Sequence, residues 1–289
     1  MRVDAHHHFW DPARYEYPWM QGAALDPIRR AYGPEDLAGE LQRAGIEGTV
    51  LVQTLSSETE TREFLRTAEA TGFVLGVVGW VDLTAEDIGA RLDAHRDAEG
   101  GRWLVGIRHQ VHDEEDERWL CRADVRRGLR AVQERRLTYD LLLRAREIPA
   151  AVETVRDMPE LRFVVDHSAK PTIAAGEDVA WAAGMQQLSE LSNVSVKLSG
   201  MVTEADWVNW TVADLRPFVE QVRDWFGVER LMFGSDWPVC LLAADSYQEV
   251  LDAYRGAVGE LSDDEADAIF GENATSFYGL AKRQEVTDE

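Results

Sequence analysis

Eight short β-rich runs alternate with longer amphipathic stretches along 289 residues, and polar, chemically active side chains stand at the ends of several of the runs. Strand-then-helix repeated eight times in one unbroken chain predicts parallel βαβ units, and eight such units predict an α/β protein of (β/α)8, or TIM, barrel type. No internal repeat, low-complexity segment or linker interrupts the pattern, so a single domain is expected over residues 1–289. A hydrophobic fraction of 45% is enough for a sizeable core.

The runs, in order, are "RVDAHHHF" (2–9), "GTVLVQT" (48–54), "FVLGVVGWV" (73–81), "WLVGIRHQV" (103–111), "LTYDLLL" (137–143), "LRFVVDH" (161–167), "VSVKLSG" (194–200) and "RLMFGSD" (230–236). Between them, "GPEDLAGELQRAG" (33–45) carries Pro and acids in its first turn and Gly at its end, as helix termini favour. "SETETREFLRTAEATG" (57–72) opens on a Ser cap and also ends in Gly. Further helices are expected at 84–100, 122–136, 147–158, 176–192, 204–227 and 246–258, with a last one over 262–280. Residues 10–33 form the one long stretch without periodicity. Following the first strand, they would cover the barrel mouth as an ordered loop, given Trp10, Tyr15, Tyr17 and Trp19. The tail 282–289 is expected to fray.

A formal net charge of −23 argues against nucleic-acid binding, which needs clustered Lys and Arg, and against anionic membrane surfaces. Cys121 and Cys240 lie far apart in no metal or redox spacing, which suits a reducing compartment. There is no apolar signal region and no apolar run of membrane-spanning length, so a soluble cytoplasmic protein is expected.

A barrel places its chemistry at the C-terminal ends of its strands. The first run ends in His6-His7-His8. Alternation puts His6 and His8 on one face and turns His7 to the other, toward the helices. The sixth run ends in Asp166-His167 and the eighth in Ser235-Asp236. His6, His8, His167 and Asp236 are therefore expected to converge, and three imidazoles with one carboxylate suit a single Zn²⁺. Each taken alone has a bland reading: a packed core histidine, or an Asp that caps a turn. Gln53, Arg108, His109 and Lys197 end other runs and are candidate substrate contacts, with Trp10 as a stacking face. Asp140, in an otherwise apolar run, is a partner for Arg108 or Lys197, and such a pair can be purely structural. His95 and His112 are assigned to solvent.

Taken together, "DAHHHFWD", "GIRHQ", "VVDHSAKP", "VKLSGM" and "MFGSDWPV" resemble, in order and over nearly the whole chain, the lactonase branch of the amidohydrolase superfamily. That branch includes hydrolases of sugar lactones such as L-fuconolactone and L-rhamnonolactone, and of muconolactone-type compounds. The resemblance implies water chemistry at a barrel mouth, with His6, His8, His167 and Asp236 as the functional set. Binuclear members carry a bridging Lys or Glu at the fourth strand and a His ending the fifth. Here Arg108-His109 and "LTYDLLLR" stand in those places, which argues against a two-metal centre. Some lactonases of the branch work without a metal, so the resemblance implies either one Zn²⁺ or none.

The expected reaction is lactone opening by water that Asp236 deprotonates, with the histidines, directly or through a metal, polarising the carbonyl. Arg108 or Lys197 would stabilise the oxyanion. A metal-dependent decarboxylase of the same superfamily is the main rival, and the missing fifth-strand His counts against it. A non-catalytic scaffold is disfavoured by the intact His6, His8, His167 and Asp236 set.

Overall fold

The computed structural model describes residues 1–176 and 178–281. Eight strands pair in parallel in sequence order: β1 (Val3–His7), β2 (Gly48–Val52), β3 (Val74–Gly79), β4 (Leu104–His109), β5 (Thr138–Leu141), β6 (Phe163–Val165), β7 (Val194–Leu198) and β8 (Leu231–Phe233). The last edge meets the first beyond β8. The Asp236 N–H donates to the His6 carbonyl at 2.8 Å and the His8 N–H to the Trp237 carbonyl at 2.7 Å, so the sheet closes on itself.

Helices α1 (Pro34–Ala44), α2 (Glu58–Ala70), α3 (Ile88–Asp97), α4 (Ala123–Glu134), α5 (Ile148–Asp157), α6 (Val179–Ser189), α7 (Val212–Phe226) and α8 (Tyr247–Ala257) each follow one strand. Two short helices, α9 (Asp263–Asp267) and α10 (Asn273–Tyr278), flank a π-helical turn at the C-terminal end. The caps read from sequence are present: Gly45 is left-handed after α1, and the Ser57 hydroxyl accepts the Glu60 N–H at the start of α2. Two helices start later than their sequence pattern. The Asp82 carboxylate captures the Thr84 N–H at 2.9 Å, and the Asp206 carboxylate takes the Val208 N–H at 3.0 Å. These local turns displace the first turn of helix at 84 and at 204. None of the described helices is long and apolar enough to cross a membrane. The tail 282–289 lies outside the described residues.

Two apolar layers hold the barrel. One joins the outer strand faces to the helices; the other fills the barrel from below with Val3, Ala5, Val50, Val52, Val78, Val164 and Met232. Tyr278 and Leu280, from the C-terminal segment, complete that lower layer.

β1 is not a regular strand. Its register against β2 slips between Asp4 and His7, which face Thr49 and Leu51. Strict alternation would put Asp4, His6 and His8 on one face; the bulge turns Asp4 to the helix side while His6 and His8 face the mouth. Asp4 accepts from the His6 N–H (3.0 Å), the Ser235 N–H (2.9 Å), the Ser235 hydroxyl (2.6 Å) and the Tyr247 hydroxyl (2.9 Å). It thereby ties β1, the end of β8 and α8 together. His7 points away from the mouth, with Nε2 2.9 Å from Thr49 Oγ1 and its ring against Phe9.

Residues 10–33 return on themselves. Trp10 and Tyr32 exchange backbone bonds of 3.1 and 2.9 Å, and Trp10, Tyr17, Trp19 and Tyr32 pack ring against ring.

Candidate active site

Three irregular strand ends deliver the four residues. His6 and His8 follow the β1 bulge, His167 follows β6, and Asp236 follows β8. Nε2 of His8 lies 3.2 Å from Nε2 of His6 and 3.3 Å from Asp236 Oδ1. Nε2 of His6 and of His167 each lie 3.9 Å from that same oxygen. The backbone is bent sharply to achieve this. His167, Ser168, Ala169 and Lys170 run consecutively at φ between 48° and 58°, and Asp236 at φ 57°. Each such L-residue costs roughly 1–2 kcal/mol, and strain of this kind collects at functional sites. Gly200 makes room for the turn: a Cβ there would stand 2.4 Å from His167 Nδ1 and 3.1 Å from Asp236 Oδ2. β6 therefore ends at Val165, short of the sequence run to 167, because His167 has left the strand region.

The donor set fits a metal. His8 Nδ1 sits 2.8 Å from the Val52 carbonyl, which can only accept, so Nδ1 carries the proton and Nε2 presents a bare lone pair. His6 Nδ1 lies 3.3 Å from Asp166 Oδ1, the carboxylate partner typical of a ligating imidazole. Burial holds His6 and His167 well below the usual imidazole range, with Asp166 opposing and Lys197 reinforcing it at His6. Three imidazoles facing one carboxylate oxygen at 3.3–3.9 Å leave a gap suited to a cation. Tetrahedral zinc with N ligands has an edge of about 3.3 Å. One donor atom each from His6, His167 and Asp236 lie within 4.8 Å of one another, close enough to hold one ion.

Beneath His6 lies a closed set of charges. Arg108 Nη1 donates to Asp166 Oδ2 at 2.9 Å, and Lys197 Nζ meets Asp140 Oδ2 at 2.6 Å and Asp166 Oδ1 at 2.9 Å. Two buried cations thus face two buried carboxylates. Burial alone would raise the Asp166 carboxyl, but Lys197, His6 and Arg108 overcome it and hold it well below the usual range. Asp140 thus pairs with Lys197, one of its two expected partners.

Above the four residues opens a cavity. Thr54, Gln110, His112, Asp113 and Lys170 give it a polar rim, and Trp19, Leu142 and Val239 give it apolar faces. Arg108 reaches it, with Nη1 3.3 Å from His6 Nε2. The other candidate contacts stand elsewhere. His109 alternates with Arg108 and so points outward, stacked on Trp119 at 4.3 Å and bonded to Trp80 and Glu114. Trp10 is buried in the loop, its indole N–H given to the Ile28 carbonyl, and Trp19 presents the aromatic face instead. Gln53 is buried, its side chain bonded to Arg108 and Gln110, and Lys197 lies one layer below the cavity. His112, assigned to solvent from sequence, lines the cavity, and His95 is buried beside Glu58. Asp166 carries the network; in the sequence it stands only as the neighbour of His167, and its place at a strand end is the available signal.

Glu60 of α2 holds the cavity wall from behind. Its carboxylate accepts the Thr54 N–H at 2.8 Å, the Leu55 N–H at 2.9 Å and the Thr54 hydroxyl. Burial pushes it up to about 7, against these bonds. The folded chain then holds this proton more tightly than the unfolded chain, so its contribution to stability falls as pH rises from about 5 to about 7. Glu60→Gln is expected to remove a slope of up to about 1.4 kcal/mol per pH unit. Urea unfolding at a series of pH values measures it; an unaltered slope rejects the assignment.

Three imidazoles and a carboxylate over the mouth of a parallel eight-stranded barrel define a class of barrel enzymes with the site at the C-terminal ends of the strands. Within that class, the chain belongs to the amidohydrolase family, whose model matches residues 3–280. An L-fucono-1,5-lactonase of Burkholderia ambifaria is 39% identical over 289 residues, covering 96% of each chain. An L-fucono-1,5-lactonase of Burkholderia multivorans is 37% identical, over 97% of this chain and 96% of that one. The crystal structure of an amidohydrolase from Burkholderia multivorans with bound zinc superposes with a TM-score of 0.89, at 36% identity, over 97% of this chain and 100% of that chain.

Proposed function

We propose that this protein hydrolyses a neutral sugar lactone, L-fucono-1,5-lactone being the first substrate to test. The observation that carries this reading is the state of the cations at the cavity. Arg108 is paired with Asp166, and Lys170 is paired with Glu204 at 3.1 Å. A carboxylated lactone would need an unspent Arg or Lys, whereas a polyol needs hydrogen-bonding groups and one or two apolar contacts. Thr54, Gln110, His112 and Asp113 supply the former, and Leu142 and Val239 suit a methyl substituent. The full-length similarity to two L-fucono-1,5-lactonases supports the same choice. Leu142, just beyond β5, lines the site where a decarboxylase of this superfamily is expected to carry its histidine.

Asp236 takes a proton from water as the water oxygen bonds to the lactone carbonyl carbon. The ring C–O bond then breaks, and the proton on Asp236 passes to the ring oxygen. Arg108 Nη1, beside His6 Nε2, donates to the carbonyl oxygen as charge builds there. His8, fixed by the Val52 carbonyl, and His167, whose Nδ1 lies 2.9 Å from Ser199 Oγ, keep the carboxylate oriented. His6, His8, His167 and Asp236 would hold one Zn²⁺, which when bound supplies Lewis-acid polarisation at the carbonyl.

Ring opening yields an acid that ionises, so a pH indicator reports turnover. L-fucono-1,5-lactone is expected to react faster than aliphatic lactones, dicarboxylated pyrones, N-acyl amides and phosphotriesters. Preference for an amide, a phosphotriester or a carboxylated lactone overturns the reading. Elemental analysis of protein exposed to zinc and desalted is expected to give one zinc per chain; two per chain contradicts the mononuclear assignment.

A further inference from the structure

The barrel floor contains a polar group that the reaction above leaves unused. Tyr278, the last residue of α10, enters the lower apolar layer among Val3, Val50 and Val164. A phenol in such a layer needs a partner, and its hydroxyl donates to Asp140 Oδ2 at 2.8 Å. The same oxygen receives Lys197 Nζ at 2.6 Å. Lys197 Nζ in turn stands 3.1 Å from His6 Nδ1 and 2.9 Å from Asp166 Oδ1. Asp140 Oδ2 accepts from the ammonium, Asp166 Oδ1 meets it as an ion pair, and His6 Nδ1 lies beside it. Asp140 and Lys197 are fully buried and Tyr278 nearly so, so water cannot substitute for a missing partner.

We propose that Tyr278, Asp140 and Lys197 form a positioning chain that runs from the C-terminal helix at the closed end of the barrel to His6 and fixes how that imidazole faces the site. Tyr278 shares the charge of Asp140 Oδ2 with Lys197. Without the phenol, Asp140 keeps one donor, since its Oδ1 has no hydrogen-bond partner. Its pull on Lys197 then rises, and the ammonium settles toward Asp140 and away from His6 and Asp166. The imidazole loses the contact that sets its tilt and the placement of its ring proton. Partners one shell removed from a ligating histidine commonly change metal affinity by about 10–100-fold. Tyr278 does not line the cavity, so it acts through Lys197 and leaves substrate binding alone.

The proposal rests on the site reading above for its kinetic and zinc arms; the His6 ¹⁵N arm stands apart from it. Tyr278→Phe keeps the ring and removes the hydroxyl; Leu280→Ala, in the same layer, removes packing and no polar contact. Zinc affinity by chelator competition is expected to weaken about 10-fold in Tyr278→Phe and to stay within twofold in Leu280→Ala. The ring ¹⁵N signals of His6 should move in the first variant and hold in the second. Turnover of L-fucono-1,5-lactone should fall with KM unchanged in Tyr278→Phe alone. Wild-type zinc affinity and His6 signals in Tyr278→Phe overturn the proposal, as do equal shifts in both variants, which would mark general loosening of the floor. If the wild-type protein opens no lactone, the proposed activity fails, while the ¹⁵N measurement still decides the positioning chain.

Discussion

Replacing Asp236 by Asn is expected to leave the barrel folded and to lower kcat on a sugar lactone by about 10²–10⁴-fold, the usual range for loss of a general base. The amide is almost the same size, and Asn accepts a left-handed backbone, so φ 57° at this position is no obstacle. The backbone bonds that anchor the residue, its N–H to the His6 carbonyl and its carbonyl to the Cys240 N–H, do not involve the side chain. What disappears is the ability to hold a proton from water and return it to the ring oxygen. An amide is not basic at neutral pH, so the attacking water keeps both protons. Circular dichroism checks the fold and steady-state kinetics the rate. A folded variant with near-normal turnover sinks the assignment of Asp236 as base.

Arg108 is expected to produce the second large effect, and on two quantities at once. Arg108 is 3% exposed, and its guanidinium spans Asp166 Oδ2 and the Gln53 side chain, with Nη1 near His6. Arg108→Met leaves Lys197 as the one cation against Asp140 and Asp166, so a buried negative charge goes unmatched. Breaking such a pair costs about 3–5 kcal/mol, and losing the donor at the carbonyl costs about 10²–10³-fold in kcat. Arg108→Lys separates the two. The charge returns, and with it most of the stability, but a point cation cannot span Asp166 and Gln53 as a planar fork does. Turnover should therefore remain depressed in the Lys variant. Urea unfolding and kinetics on both variants test this; wild-type turnover in Arg108→Lys rejects the role of the fork.

The strand-helix alternation and the four convergent residues were legible because both follow from short-range patterns. β-rich runs are local, and a barrel makes their ends meet whatever the loops do. Period-2 alternation also decides between Arg108 and His109: adjacent residues cannot both face the mouth, and the outward one stacks on Trp119. Residue type alone admits both as candidates. Lys197 faces inward but sits one layer too deep, and depth is set by the stagger between strands, which no single strand records. The β1 bulge was equally invisible, since a slip of one residue depends on what β2 and the end of β8 offer to Asp4. Asp166 pairs with an arginine 58 positions away and a lysine on the next strand, contacts that only closure of the barrel creates. Trp19 displaced Trp10 from the cavity because an aperiodic loop gives no rule for which of several aromatics turns in.

The backbone clasp between Trp10 and Tyr32 bears on how such an enzyme changes its substrate over generations. The segment between these residues is tethered at its neck, and the neck, not the segment, is joined to the strand carrying His6 and His8. Lengthening a loop whose ends are already held together adds only a small, slowly growing entropic cost. Insertions and deletions inside the segment, around Trp19, therefore remodel the cavity wall while His6 and His8 stay where they are. Lineages can drift, and laboratory libraries can be built, in that stretch at little risk to the chemistry. Trp10→Pro or Tyr32→Pro, which removes an amide of the clasp, forfeits this insulation.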